Sequence, residues 1–173
     1  GELDAQIECV IANHKTLETF VGRFDVPFFH VPAEELSREE HEERVMNLID
    51  DFEFDYIVLA KYMRILTPKF VKAYPEKIIN IHHSFLPAFI GANPYKQAHE
   101  RGVKIIGATA HYVTDDLDEG PIIAQDVIRV NHRMEWKDMQ RAGRDVEKVV
   151  LSRALSYVLN DRVFVNGNKT IIF

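Results

Sequence analysis

The feature that most constrains this fold is the alternation of short apolar runs with amphipathic segments that have helical spacing. Short apolar runs are typical of strands, and apolar residues three or four apart are typical of helices that cover a core. A chain in which strands and helices alternate packs into an open, mostly parallel sheet with helices on its faces. We therefore predict an α/β fold in one domain. Predicted strands cover residues 5–12, 27–31, 56–60, 78–81, 104–113 and 121–130, and predicted helices cover residues 16–24, 37–52, 67–74, 94–101 and 146–160.

Capping signals mark the starts of two helices. Ser37 is followed three residues later by Glu40, the spacing at which a serine hydroxyl and a glutamate carboxylate satisfy each other's backbone amides. Thr67 and Pro68 supply an N-cap and a proline at the first helical position. The acidic run after Ser37 is interpreted as a solvated helix face, because charge runs on helices usually face water. That run consists of Glu39, Glu40, Glu42 and Glu43.

Two strand patterns predict the environment of their residues. The run 56–60, YIVLA, is continuously apolar, which is expected of a parallel strand that is buried on both faces. Near the end of the chain, Asn166 and Gly167 separate the segments RVFV and KTIIF, and an Asn-Gly pair in that setting predicts a hairpin. The helix before this hairpin is predicted to begin near Val146 and to bury Val149 with the apolar residues that follow at helical spacing.

Composition and charge exclude several classes of protein. The chain has 173 residues, enough for one domain to bury a core without disulfides or a structural metal, and a single cysteine, Cys9. Its 27 acidic residues outnumber 21 basic ones, and the net charge of −6 provides no broad basic surface for nucleic acid. No apolar run approaches the roughly 20 residues of a membrane span, and no leader opens the chain, so we expect a cytoplasmic protein. Walker and GxGxxG motifs are absent, which argues against ATP or NAD chemistry.

Polar side chains follow three predicted strands, at the edge where open α/β sheets bind ligands. Asn80 and His82 lie two residues apart and project to one face of a strand, where they offer an amide donor and an imidazole. Asp118, in the loop 114–120, offers a carboxylate that could hold the imidazole protonated or take a proton from water. These three groups suit acyl transfer. His111 is a further candidate, because it lies on the strand that leads into the Asp118 loop.

Each candidate also has a structural interpretation. An Asn-x-His sequence at a strand end commonly forms a turn with satisfied hydrogen bonds, and an acidic loop before Gly-Pro is commonly a solvated turn. Adjacent His82 and His83 suggest a metal site, but strand neighbours point to opposite faces and no further ligands are spaced to join them. Arg64 suits either an anion clamp or stacking on the helix that follows. Cys9, inside an apolar run, is interpreted as a buried, inert thiol.

Together these segments resemble the folate-dependent formyltransferase superfamily and, within it, the formyltetrahydrofolate deformylase family. The resemblance covers nearly the whole chain and is carried by VLAKYMRILTPKFV, by the stretch from NIHHSFLPAF to GPIIAQDV, and by RVFVNGNKTIIF. Asn-Ile-His, Ser-x-Leu-Pro and Leu-Asp-x-Gly-Pro together are specific to the superfamily, and His-His-Ser-Phe-Leu-Pro-Ala-Phe with Gly-Ala-Asn-Pro-Tyr resembles the deformylases. The resemblance implies a Rossmann-like formyltransferase fold with flanking helices and a C-terminal β-hairpin.

The resemblance also implies a hydrolase that converts 10-formyltetrahydrofolate to formate and tetrahydrofolate, supplying formate for purine synthesis and balancing one-carbon pools. The family's catalytic Asn, His and Asp match Asn80, His82 and Asp118, with no metal and no permanently bound cofactor. The implied partner is the small folate substrate, without nucleic acid or membrane. The pterin is expected against the loops 61–66 and 114–118. The substrate-binding residues that the resemblance implies are Met63, Arg64, Ile65, Leu66, His111 and Thr114.

Other functions remain open at this point. One is formyl transfer from the folate to an amine acceptor, such as a ribonucleotide or an amino sugar. Another is a folate-binding module without catalysis, and a third is a plain structural α/β domain. Measuring formate release without an acceptor separates them, because only a deformylase uses water as the acceptor.

The resemblance also bears on domain organisation. The family's catalytic domain normally begins with a strand and a helix before the segment that starts here at Gly1, and deformylases carry a small ligand-sensing ACT domain ahead of it. We therefore expect residues 1–173 to form a formyltransferase-type catalytic domain without its first strand and helix and without an ACT domain. The oligomeric state is open, with a homo-oligomer as one option. We also consider a cis Leu86–Pro87 bond, which would shape the loop after His82.

Overall fold

The computed structural model describes residues 3–88 and 93–173, so Phe89–Ala92, part of the motifs that resemble deformylases, lie outside the described residues. The strands are β1 (Val10–Ala12), β2 (Phe28–His30), β3 (Ile57–Ala60), β4 (Ile78–His82), β5 (Ile105–Tyr112), β6 (Ile122–Arg129), β7 (Val163–Asn166) and β8 (Lys169–Ile172). The helices are α1 (Glu18–Val21), α2 (Arg38–Ile49), α3 (Pro68–Ala73), α4 (Pro94–Arg101) and α5 (Trp136–Leu159), with short 3₁₀ turns at Lys15–Leu17 and Gly22–Phe24 on either side of α1.

The central sheet has four strands in the order β3-β4-β5-β6. Strands β3 and β4 run parallel, whereas β5 is antiparallel to both of its neighbours. Strands β1 and β2 form a separate parallel pair, and β7 and β8 form the C-terminal antiparallel hairpin. The predicted α/β fold with flanking helices and a C-terminal hairpin is therefore confirmed.

The strand directions are more mixed than the alternation of strands and helices predicted. Parallel neighbours need a crossover of about a dozen or more residues between them. Only residues 113–121 separate β5 from β6, which is too few for such a crossover, so β6 returns antiparallel to β5. The parallel part of the central sheet is consequently confined to β3 and β4.

Helix α5 packs on the sheet and forms the main core with it. Val150 and Ala154 are fully buried and cluster with Ile79 of β4 and Ala110 of β5. Val149, which the apolar spacing predicted to be buried, is exposed instead. A helix buries one stripe of its surface. In α5 the buried stripe runs through Val150 and Ala154, and Val149 lies beside it.

Helix α5 begins at Trp136, well before its predicted start. A capping box that begins at Glu135 supports the early turns. Gly143 lies within them because Tyr95 of α4 packs against it, and a Cβ at this position would lie 2.2 Å from the Tyr95 hydroxyl oxygen. That hydroxyl donates to Glu147 at 2.7 Å, one turn further along. The glycine that weakens the helix locally therefore lets α4 dock on α5.

The predicted caps form, but the acidic run beside one of them is not uniformly solvated. The Ser37 hydroxyl accepts from the Glu40 amide at 3.1 Å, and the Glu40 carboxylate accepts from the Ser37 amide at 2.8 Å. The Thr67 hydroxyl accepts from the Phe70 amide at 3.3 Å. The interpretation of a solvated face is wrong at Glu42, which is 3% exposed, because its carboxylate accepts hydrogen bonds from Thr67.

Strand β3 is less buried than the YIVLA run predicted. Val58 is 40% exposed, and along the strand exposed residues alternate with half-buried ones. One edge of β3 pairs with β4, and no strand of the described residues pairs with its other edge. Strand β1 is shorter than the predicted run and pairs only with β2 in the same part of the chain, although its Ile11 packs in one cluster with Ile57 and Leu59. The predicted burial on both faces is therefore not reached within the described part of the chain.

The Leu86–Pro87 peptide bond is cis, the isomer that was considered from the sequence. Cys9 is half-buried and precedes β1, and burial raises the pKa of its thiol. No helix within residues 3–88 and 93–173 combines the length and the apolar character needed to cross a membrane.

We expect Gly143→Ala to lower the free energy of unfolding by about 1–3 kcal/mol, because the new methyl group would overlap the Tyr95 ring. Urea denaturation measures the loss. Gly22→Ala is the matched control, since a Cβ there meets nothing within 4 Å and its φ of −59° suits alanine. Equal stability of the two variants would contradict the close packing of α4 on α5.

Candidate active site

The three candidate catalytic residues come together over strands β4 and β5. Asn80 and His82 lie on β4, and the antiparallel register places His111 of β5 directly opposite Asn80. Because β5 is antiparallel, the loop 113–121 leaves the sheet beside the start of β4 and folds back over the strands. This brings Asp118 to His82, so one constellation contains the Asn, the His and the Asp.

His82 is a buried residue whose two ring nitrogens have different surroundings. The residue is 6% exposed, and its Nδ1 lies 3.4 Å from Oδ1 of Asp118, which favours a proton on that nitrogen. Its Nε2 is buried and has no hydrogen-bond partner among the described residues. A buried polar atom without a protein partner calls for an explanation, and contact with a bound water or ligand is a common one. Nε2 is therefore the atom of His82 that is available to a substrate.

Asp118 is held in the carboxylate form by its histidine neighbours. The hydrogen bond with His82 is the largest cause that lowers the pKa of Asp118, and the nearby His111 acts in the same direction, while burial opposes them. Asp118 has a φ of 57°, which aspartate tolerates better than most residues. A Cβ at Gly120 would lie 1.9 Å from the Tyr112 carbonyl oxygen. Glycine at that position therefore lets the loop fold tightly enough to deliver the carboxylate.

His111 lies between Asn80 and Asp118 and is 2% exposed. Its Nδ1 donates to the Tyr112 carbonyl at 2.8 Å, so Nε2 faces the site. Nε2 lies 3.3 Å from the Asn80 Nδ2 and 3.7 Å from the Asp118 Oδ1. Burial is the main cause that lowers the pKa of His111, which favours a bare Nε2 that accepts from the Asn80 amide. This hydrogen bond fixes the orientation of the Asn80 carboxamide, because its Nδ2 must face His111.

The loop 61–66 starts beside His82, because β3 and β4 are parallel and end together. Met63 and Ile65 of this loop are exposed. Arg64 is half-buried, and its guanidinium donates to a backbone carbonyl of the preceding loop at 3.5 Å. The contact that this residue makes is thus neither of the two that the sequence left open.

The remaining candidates for substrate binding are less exposed. Leu66 is half-buried and packs against the cluster around Phe70. Thr114 is half-buried, and its hydroxyl donates to the Asp116 carbonyl at 3.3 Å. Together with the buried His111, these residues line or support the two loops instead of forming a single exposed surface.

His83 lies closer to His82 than strand geometry predicted. The two ring centroids are 5.1 Å apart, because β4 ends at His82 and the chain bends at the next residue. Burial, and then the neighbouring His82, lower the pKa of His83. The expectation that these side chains point to opposite faces is therefore wrong. In the described part of the chain, no group of three or more His, Cys, Asp or Glu residues could hold a metal ion.

A polar network that the sequence patterns did not predict holds the turn after His82. The Thr109 side chain is fully buried, and its hydroxyl donates to the Ser84 carbonyl at 2.9 Å. The same oxygen accepts from the Leu86 amide at 3.1 Å and from the Gln125 amide nitrogen at 2.9 Å. Thr109 and Gln125 are polar residues that follow apolar stretches of their strands, and buried polar groups need partners, so this pattern was the available signal.

Comparison with known proteins adds independent findings. Residues 1–155 match the formyl transferase family. A formyltetrahydrofolate deformylase from Shigella flexneri is 67% identical over 172 residues, which cover 99% of this chain and 61% of the relative. The crystal structure of a formyltetrahydrofolate deformylase from Pseudomonas syringae pv. tomato is 53% identical with a TM-score of 0.95, covering 99% of this chain and 57% of that one. Glycinamide ribonucleotide transformylase 1 from Symbiobacterium toebii is 31% identical with a TM-score of 0.91, covering 97% and 81%.

The chain thus spans less than two thirds of the length of the deformylases that it matches, but more than two thirds of the transformylase. The family match covers both strands of the site and the loop that carries Asp118. The sequence match and the structural match to known family members both cover the whole of this region. The chain therefore belongs to the formyl transferase family.

Proposed function

We propose that this chain is the catalytic part of a formyltetrahydrofolate deformylase, which hydrolyses 10-formyltetrahydrofolate to formate and tetrahydrofolate. The observation that carries the proposal is the buried Nε2 of His82, which has no hydrogen-bond partner within residues 3–88 and 93–173, while Nδ1 of the same ring is held by Asp118. A formyl oxygen that becomes negatively charged is a partner that such a nitrogen could bind. The name of the 67% identical relative supports water as the acceptor.

Asn80 and His82 are proposed to stabilise the oxyanion. When water attacks the formyl carbon, negative charge develops on the formyl oxygen, and donors that already point at this position lower the barrier. Protonated His82 would donate through Nε2. Asn80 would donate its second amide hydrogen, since the first is directed at His111. Loss of one such donor typically costs about 10²–10³ in rate.

Asp118 is proposed to take the proton from water. The water oxygen forms a bond to the formyl carbon, and its proton passes to the Asp118 carboxylate. The bond from that carbon to N10 then breaks, and N10 takes the Nε2 proton of His82, which keeps its Nδ1 proton. Formic acid and tetrahydrofolate leave, and the formic acid ionises to formate. After the products leave, Asp118 loses its proton to water and His82 regains one at Nε2 from water. Atoms and charges balance without a metal or a permanently bound cofactor.

The pterin is proposed to bind between the loop 61–66 and the Asp118 loop. Met63 and Ile65 provide exposed apolar surface beside the site, and the backbone of Arg64 and Leu66 would read the polar edge of the ring. Thr114 would border the opposite side. His111 is too buried for broad contact with the substrate and would act through Asn80.

The cellular setting that we propose is the cytoplasm. The protein would work on a small folate substrate, and the thiol of Cys9 is free. Free cysteines persist most readily in a reducing compartment.

A second candidate function is formyl transfer to an amine. The observation in its favour is the similarity to the transformylase from Symbiobacterium toebii, 81% of which this chain covers. Transfer requires an aligned amine and exclusion of water, whereas hydrolysis requires an ordered water. Formate release from 10-formyltetrahydrofolate without an acceptor supports the deformylase. Binding of a folate analogue without any formate would indicate a module without catalysis.

We also propose that a strand from outside these 173 residues lies between β1 and β3 and completes the sheet. Both strands have an edge without a strand partner in the described part of the chain, and Ile11 of β1 clusters with Ile57 and Leu59 of β3. An inserted strand would also cover Val58. Amide hydrogen exchange in β3 should be slower in the full-length protein than in the 173-residue chain, and equal rates would contradict the insertion.

We expect His82→Ala and Asp118→Asn to reduce formate release by at least about 10²-fold each, because the first removes the oxyanion donor and the second removes the base. Asparagine tolerates the left-handed backbone of residue 118, so the loop should keep its shape. Asp116→Asn is the matched control in the same loop, since that side chain is exposed. Near wild-type turnover in either site variant, with the fold intact by circular dichroism, would refute the assignment.

The ionisation of Asp118 should be visible in stability. Its pKa is lower in the folded protein than in the unfolded chain, so the carboxylate form stabilises the fold above the unfolded value of about 3.9. This contribution is lost as the pH falls through the lowered pKa. We expect the wild-type advantage over Asp118→Asn in urea unfolding to shrink between about pH 5 and pH 3. An advantage that stays constant over this range would show that the carboxylate is not held by His82.

A further inference from the structure

One buried carboxylate lies outside the constellation described above. Glu42 is 3% exposed, whereas the other acidic residues of its run, Glu39, Glu40 and Glu43, are exposed. Glutamate is almost never fully buried unless it has partners. The burial of this one residue therefore needs a specific explanation.

Glu42 binds the residue at which the loop 61–66 meets α3. Its two carboxylate oxygens accept the Thr67 backbone amide at 3.0 and 3.2 Å, and Oε2 also accepts the Thr67 hydroxyl. The same hydroxyl oxygen accepts the Phe70 amide, at 3.3 Å, in the first turn of α3. One side chain of α2 thus holds the end of the loop and the start of the next helix.

Neighbouring contacts tie two loops to the same end of α2. His41, adjacent to Glu42, donates through Nε2 to the Val31 carbonyl at 3.2 Å. The Arg64 guanidinium donates to the Ala33 carbonyl at 3.5 Å. The loop 61–66 is therefore anchored at its middle to the loop that precedes α2 and at its end to the first turns of α2 itself.

The anchored loop directs its side chains alternately inward and outward. Met63 and Ile65 point outward, and Met63 is 69% exposed. The residues between and beside them are half-buried. Tyr62 is one of these inward residues, and burial, followed by the charge of Glu42, raises the pKa of its phenol. The buried carboxylate thus lies under the inward side of a loop whose outward side is free for a ligand.

We propose that Glu42 is a positioning residue that sets the conformation of the loop 61–66 and thereby the affinity for the ring of the substrate. The inference rests on the proposed function for the identity of that substrate. The hydrogen bonds of Glu42 within the described residues go to Thr67, and none of them reaches Asn80, His82 or Asp118. A group that shapes the ground-state binding surface, but not the reacting atoms, changes KM and leaves kcat.

The test compares Glu42→Gln with Glu43→Gln in the full-length protein. The two substitutions are identical in chemistry and adjacent in sequence, but Glu43 is exposed and forms a 4.0 Å ion pair with Lys69. We expect Glu42→Gln to raise KM for 10-formyltetrahydrofolate about tenfold with kcat within about twofold, because glutamine presents a donor to Thr67 where an acceptor is needed. Thr67→Val should raise KM similarly, and Thr67→Ser should not.

A second measurement is independent of turnover. Amide hydrogen exchange at Thr67 and in the loop 61–66 should be faster in Glu42→Gln than in Glu43→Gln. Unchanged exchange, or a loss of kcat as large as the rise in KM, would overturn the positioning role. If the wild-type protein releases no formate, the proposed function fails, and the exchange rates still decide whether Glu42 sets the loop.

Discussion

The antiparallel pairing of β4 with β5 is the constraint on which the site depends. It places His111 opposite Asn80, and it sends the loop after β5 back over the strands so that Asp118 reaches His82. Because β5 ends beside the start of β4, the loop must fold back over the strands to reach His82 at the other end of β4. The close approach of Gly120 to the β5 backbone then allows the return of the loop within a few residues.

The second organising interaction is electrostatic. One carboxylate, that of Asp118, lies within 3.4 Å of a nitrogen of His82 and 3.7 Å of a nitrogen of His111. Because burial lowers the pKa of His111 and its Nδ1 is used by a backbone carbonyl, the two histidines take different roles beside the same charge. The ring of His82 keeps one nitrogen without a partner in the described part of the chain, and His111 orients Asn80. Low exposure strengthens these interactions and makes a missing partner costly.

Local signals in the sequence were accurate where the physics is local. The Ser37 capping box, the Thr67 cap and the hairpin turn depend on residues a few positions apart, and all three form. The candidate residues Asn80 and His82 could be found because strand period puts them on one face, and Asp118 because it lies in the loop after a neighbouring strand; the family resemblance then implied their roles. Signals that depend on distant packing failed, as at Glu42, whose burial requires Thr67 of another element.

By itself, the sequence determined the α/β class, the position of most elements and the residues that supply an amide, an imidazole and a carboxylate. Periodicity and capping encode these properties directly, because they depend on the backbone and on near neighbours. Only the tertiary structure decided the direction of β5, the proximity of His83 to His82, the early start of α5 around Gly143, and the burial of Glu42. Each of these depends on which distant segments pack together, and local pattern carries no record of that choice.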